Sequence, residues 1–347
     1  EGEGRAKVGR RIEARAAASS VGGREGETEE VVVGEQLVAR IGSRVLRKPT
    51  LLGVLSGEQR VERLEVDRAA CETGGHGDHR PRSDDAMLCA GEIHTTGFSH
   101  VADGVDAVRK AAREELRRGA HQVKIMASGG VASPSDAITN LQYSPEEMRV
   151  AVEEAASWGT YVMAHAYTPA AIERAVSAGV RTIEHGNLID TPTAALMADR
   201  GAYLVPTLVT YFMIAEFGRA LSFPAASQRK VLEVLDAGLS SLDICRRAGV
   251  KMGFGTDLLG ETHEHQSKEF TIRAQALSPA EIIRSATITN AEIVRRPGDL
   301  GVIAAGATAD LLVVDGNPLD DISLLDGQGE HIIAVMKDGD FVINHLG

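Results

Sequence analysis

The chain has 347 residues, 43% of them hydrophobic and 25% charged, with a formal net charge of −12. That length suffices for one large α/β barrel or two ordinary domains. The acidic balance argues against a nucleic-acid or anionic-membrane partner, either of which would need a basic face. Three scattered cysteines, Cys71, Cys89 and Cys245, are too few for a disulfide framework or a zinc finger and predict reduced thiols in a cytoplasmic protein. The chain contains no apolar run of the roughly 18 residues that a membrane span requires. Its charged, Gly-rich beginning lacks the apolar core of a signal peptide.

Residues 1–72 contain no His and no aromatic residue; the first aromatic is Phe98. Two short apolar runs, Val31-Val32-Val33 and Leu51-Leu52-Gly53-Val54-Leu55, are candidate strands, and the remainder predicts a weakly structured or divergent segment. Residues 73–100 read as loop. From about 101 the pattern is regular. Val105, Val108, Ala112 and Leu116 recur at helical spacing up to Gly119. Val123-Lys124-Ile125-Met126-Ala127 reads as a strand. Ser144-Pro145-Glu146-Glu147 carries an N-cap, a proline at the first helical position and a capping-box glutamate, opening a helix that runs to Trp158.

The cycle then repeats. Strands are predicted at 161–165, 180–185, 203–207 and 250–257, and helices start at Thr168-Pro169 and Thr191-Pro192. One long helical stretch follows 207 through Leu242 to Ala248, and another capped helix opens at Ser278-Pro279-Ala280-Glu281. Strands alternating with helices imply parallel βαβ units. No Gly-rich nucleotide fingerprint follows a strand, which favours a (β/α)8 TIM-like barrel, incomplete at its N-terminal strands, over a doubly wound sheet. From about 299 the pattern turns to β, with Asp338-Gly339 as a hairpin turn. The expected organisation is an atypical segment at 1–72, a hydrolase barrel at 73–298 and a small β domain at 299–347.

His165, His185 and Asp257 each end a predicted strand. Strand C-termini of a barrel share one mouth, so two imidazoles and a carboxylate would meet there as a candidate divalent-metal site. The competing reading of each is an ordinary core or loop residue. Lys124 lies inside an apolar strand, where an unpaired ammonium is expensive to desolvate. Either its amine takes up carbon dioxide as a carbamate that ligates metal, or its stem carries the charge out to the strand mouth.

Lys124 in KIMASGG, His165 in MAHAYT, His185 in IEHGN, Asp257 in FGTDLLG and the closing ADLLVVDGNPL resemble the amidohydrolase superfamily. Residues 73–344 look closest to its metal-dependent dipeptidase branch, the prolidase-like and N-acyl-amino-acid carboxypeptidase-like enzymes. The resemblance implies metal-activated hydrolysis of amide bonds in dipeptides or N-acyl amino acids. It implies a zinc site with carboxylated Lys124, His165 and His185 as ligands, and Asp257 as ligand and proton shuttle. The polarising group for the amide carbonyl would be a metal or His185. His76, in TGGHGD, and Tyr211, in LVPTLVTY, would bind substrate; their alternatives are a loop histidine and an amphipathic-helix residue.

The family's His-x-His at the end of the first strand has no counterpart here, since no His precedes His76. The expectation is therefore one or two zinc ions per chain. An aromatic-free stretch joined abruptly to a good match is what a reading-frame error or a truncation would leave. His263-Glu264-His265 reads as a loop feature beyond the last strand, with Glu261 and Glu264 as weaker ligand candidates. Two other functions stay open: a fragment or pseudoenzyme without catalysis, and a cyclic-amide hydrolase resembling imidazolonepropionase or dihydroorotase. A homo-oligomer is expected from the branch, and Leu235, Leu239 and Leu242 form a stripe suited either to a subunit contact or to the barrel's own packing.

Overall fold

The computed structural model describes residues 32–33, 36–37, 49–53, 69–72, 76, 99–133, 136–219, 223–258 and 260–346. Most of the segment at 1–72 expected to be weakly structured, most of the 73–100 loop, Cys89 and the Glu261 side chain lie outside the described residues. The chain divides into two compact units, one spanning Gly57–Leu277 and the other combining Glu1–Ser56 with Ser278–Gly347.

The larger unit is a TIM-like barrel. Its strands are β4 (Ala69–Cys71), β5 (Ser99–Val101), β6 (Val123–Met126), β7 (Val162–Ala166), β8 (Thr182–His185) and β9 (Tyr203–Val205), after the short β1 (Val32–Val33), β2 (Gln36–Leu37) and β3 (Pro49–Gly53) of the other unit. They form one parallel sheet in the order β5-β4-β6-β7-β8-β9. The helices α1 (Val105–Arg118), α2 (Pro145–Ser157), α3 (Pro169–Ala178) and α4 (Thr191–Asp199) alternate with these strands. Their starts share one device, a polar N-cap followed by proline. Ser144 and Glu147 close a full capping box on α2, Thr168 caps α3, and Asp190 caps α4 one residue earlier than the sequence suggested. Each such cap contributes about 1 kcal/mol. Gly119 and Gly179 end α1 and α3 in the left-handed conformation, which costs glycine little.

Ile125, Ala164, Ile183 and Leu204 are fully buried against helix residues such as Val108, Met148 and Ile172. Burying each large aliphatic side chain contributes roughly 1.5–3 kcal/mol. That face fixes the register: Met126 pairs with His165, and His165 with Glu184.

Two sequence expectations differ from the structure. The helical stretch after 207 is two helices, α5 (Leu208–Phe217) and α6 (Ala225–Ala248). Pro224, the N-cap of α6, has no N–H to continue a helix through this point. The strand expected at 250–257 is reduced to a parallel bridge between Leu204 and Met252. Gly253 and Gly255 offer no side chain to pack there, and a Cβ on Gly255 would lie 2.8 Å from Val205 Cγ1. Of the Leu235, Leu239 and Leu242 stripe on α6, Leu242 is fully buried and Leu235 packs against a cluster containing Tyr167, Tyr211 and Val234. Helix α7 (Lys268–Arg273) closes the unit.

In the other unit, β10 (Leu311–Asp315), β11 (Ile332–Lys337) and β12 (Asp340–Asn344) form a separate antiparallel sheet in the order β12-β11-β10-β3. The candidate strand at Leu51 is β3, over Pro49–Gly53, and Asp338-Gly339 makes the expected turn. Helices α8 (Pro279–Arg284) and α9 (Asn290–Ile293) flank a π-helical turn at Ser285–Thr289. Among the described residues, no helix is long and apolar enough to cross a membrane.

Candidate active site

At the C-terminal ends of the barrel strands lies a cavity of about 290 Å³, lined in part by His76, His165, Tyr167, His185, Tyr211 and Asp257. Parallel strands deliver their last residues to one rim, where barrel chemistry gathers. His165, near the end of β7, is 3% exposed, and His185, the last residue of β8, is 2% exposed. Their ring centroids are 4.6 Å apart. His185 has the strand parity of Ile183, which faces the helices, yet it lines the cavity. Its φ of +78° breaks the alternation. Asp257 also has positive φ, at +52°, and its Oδ2 stands 4.0 Å from His185 Nε2. Non-glycine residues held this way cost on the order of 1–3 kcal/mol each and recur at functional sites.

Both buried imidazoles are neutral. Desolvation drives the His165 pKa well below the ordinary histidine range, helped by His76, His185 and Lys124. Desolvation does the same at His185, helped by Lys124 and His76. Each ring has one nitrogen committed. His165 Nε2 is 3.2 Å from the Gly129 carbonyl, which can only accept, so this nitrogen carries the proton and Nδ1 keeps its lone pair. His185 Nδ1 is 2.7 Å from Thr207 Oγ1. Thr207 also hydrogen-bonds Tyr211, whose hydroxyl lies 2.8 Å from that of Tyr167. A chain of hydrogen bonds therefore runs along the cavity wall from His185 to Tyr167. Burial raises the pKa of both tyrosines, so both remain phenols.

Lys124 is on β6 beside this group, and its charge acts on both histidines and on Glu184. Glu184 is buried next to His185, and desolvation pushes its carboxyl up to about 7. Among the described residues, no three His, Cys, Asp or Glu side chains converge as a ready cage for a metal ion.

His76 stacks on His165 with centroids 4.3 Å apart. Its backbone N–H donates to Gln142 Oε1, and its Nδ1 lies 4.0 Å from Asp136 Oδ2. Asp136 Oδ2 also accepts from Gly130 N and Gln142 Nε2. Lys230, on α6, donates to the carbonyls of Gly130, Ser133 and Asp136 and so ties the loop after β6 to the helix. Lys230→Met keeps the aliphatic stem but leaves those carbonyls unpaired. It should cost about 2–4 kcal/mol, read as a lower urea midpoint at unchanged m.

The residues picked out by sequence thus divide clearly. His76, His165, His185, Tyr211 and Asp257 line one cavity and Lys124 adjoins it, whereas His263 and His265 do not line it. His265 stacks on Phe217 instead, with centroids 5.3 Å apart. Sequence reasoning missed Tyr167, Thr207 and Asp136. Tyr167 was within reach, two residues past His165 in the same strand-end motif. Asp136 and Thr207 act through contacts that only the folded loops create.

Comparison with known proteins identifies the family and supports the barrel fold. The amidohydrolase family profile matches residues 70–342. Ochratoxinase of Aspergillus niger is 35% identical over 286 residues, covering 78% of this chain; the chain spans only 58% of that relative's length. The crystal structure of an amidohydrolase superposes with a TM-score of 0.79 at 53% identity, covering 84% of this chain and 74% of that one. A prolidase complexed with N-methylphosphonate-L-proline superposes with a TM-score of 0.77 at 54% identity, covering 80% and 68% respectively.

Proposed function

Since this chain belongs to the amidohydrolase family, we propose that it hydrolyses amide bonds in dipeptides or N-acyl amino acids with the help of a divalent cation, zinc being the best fit. One observation carries the reading. His165 and His185 are neutral, adjacent, and committed through opposite ring nitrogens, which leaves His165 Nδ1 and His185 Nε2 as open donors in a cavity that also holds Asp257. Zinc takes neutral imidazole and carboxylate ligands whose other atoms are fixed by hydrogen bonds. Lys124 would complete the set as a carbamate: its ammonium gives up two protons as the nitrogen bonds to the carbon of carbon dioxide, turning a half-buried cation into an anion. When bound by Lys124, His165, His185 and Asp257, the cation would supply Lewis acidity and make water acidic enough to ionise near neutral pH.

The chain's own residues do the rest. Asp257, open to the cavity, accepts the proton of the attacking water and returns it to the leaving amine nitrogen. His185, held by Thr207, keeps one orientation throughout. His76 and Tyr211 hold the substrate's carboxylate or its scissile carbonyl. Val131, Met213, Ile214 and Phe223 give the cavity an apolar wall that excludes water and accepts a hydrophobic side chain. The similarity to the prolidase complexed with N-methylphosphonate-L-proline supports starting with dipeptides ending in proline.

The test is hydrolysis of such dipeptides and of N-acetyl amino acids, before and after chelation and zinc return. The expected result is amine release that chelation abolishes and zinc restores. Hydrolysis that chelation leaves intact would overturn the metal-dependent reading. Cyclic amides alone as substrates would move the chain to the other branch.

A further inference from the structure

Arg273 and Glu269, both on α7, are completely buried, and neither lines the cavity. Arg273 directs its guanidinium to Glu269 Oε1 at 2.6 Å, to the Gly253 carbonyl at 2.7 Å and to the Pro206 carbonyl. Its flat face lies 4.6 Å from the Phe254 ring centroid. The other Glu269 oxygen accepts the backbone N–H of Val209 at 2.7 Å. These contacts bracket two residues, Thr207 and Leu208. Pro206 and Val209 stand on either side of Thr207, and Thr207 Oγ1 is where His185 Nδ1 ends.

A buried ion pair is a poor way to add stability, because desolvating two charges offsets most of their attraction and well-packed apolar residues do as well. A planar guanidinium can do what an apolar residue cannot, which is to grip two carbonyls on separate segments at fixed angles. Here the segments are the β9–α5 junction and the stretch bridged to β9 at Met252. Relatives of such outer contacts elsewhere orient histidines for their task.

We propose that Arg273 and Glu269 are a positioning pair for the reaction. By fixing the backbone on both sides of Thr207 they fix its hydroxyl, and through it the tautomer and ring angle of His185. Neither touches substrate. The kinetic part of this inference rests on the hydrolase reading above; the structural part does not.

The experiment uses the full chain labelled with ¹⁵N-histidine, with His185→Asn to assign the His185 signals. Arg273→Lys keeps the charge but cannot span both carbonyls. Wild type should show His185 as one neutral tautomer protonated at Nδ1. In Arg273→Lys, far-UV dichroism should stay native while that signal shifts toward a mixture of tautomers. In the same variant kcat should fall about 10- to 100-fold with KM nearly unchanged. Thr207→Val should lose a similar factor, and adding Arg273→Lys to it should lose little more. A native His185 signature with unchanged kcat would overturn the proposal, as would losses that simply multiply. If Arg273→Lys does not fold, Glu269→Gln, milder in charge and equal in shape, is read by the same two criteria. Because the tautomer is measured without substrate, an inactive wild type would sink the hydrolase reading and still decide this one.

Discussion

Replacing Asp257 by Asn is expected to lower kcat for amide hydrolysis by about 10²- to 10⁴-fold, with KM changed only a few-fold. Asn keeps the size of the side chain and its tolerance of positive φ, so the +52° backbone survives. What disappears is the base. No other carboxylate lines the described cavity, and the two buried histidines have little tendency to take up a proton. Steady-state kinetics on a turned-over dipeptide checks this. A kcat within about threefold of wild type would remove Asp257 from proton transfer.

Gly130→Ala should damage substrate binding without breaking the fold. An added Cβ would fall 2.1 Å from His76 Cε1 and 2.2 Å from its Nδ1. The group in the way is the end of a side chain, so the imidazole swings off its stack with His165 while the backbone stays. The same logic fails next door. A Cβ on Gly129 would meet the backbone carbonyl oxygen of Ala137 at 1.9 Å, and Gly129→Ala should unfold the loop itself. If His76 grips the substrate's carboxylate, losing that charged hydrogen bond is worth about 1.5–3 kcal/mol, or roughly 10- to 150-fold in kcat/KM. The loss should appear mainly in KM. His76→Ala should match it, and the double variant should be no worse than either single one. Losses that multiply in the double variant would mean that Gly130 acts on something other than His76.

Much of the barrel could be read directly because its punctuation is local. A polar cap followed by proline, an apolar strand and a closing glycine recur from 144 to 201, and each device works within a few residues of chain. Lys124, His165, His185 and Asp257 were legible for the opposite reason: each is a polar residue set where an apolar pattern leaves no place for one. The supporting contacts gave no such signal. Glu269 and Arg273, four apart on a short helix, have the spacing of an exposed ion pair, yet both are completely buried. Nothing in periodicity distinguishes those cases, because burial here comes in part from a segment sixty or more residues away. Lys230 is similar, since its three carbonyl partners lie nearly a hundred residues back. The strand expected at 250–257 failed on glycine: its apolar letters suggested pairing, but Gly253 and Gly255 cannot sustain a packed ladder.

The zinc content of the purified chain, measured by elemental analysis on wild type and on His185→Asn after equilibration with zinc, is the most direct test of a metal-dependent hydrolase. Wild type should retain about one zinc or more per chain, and His185→Asn, still folded by dichroism, should lose most of it. A folded wild type that retains no zinc, or a variant that retains as much as wild type, would contradict a cation held by Lys124, His165, His185 and Asp257.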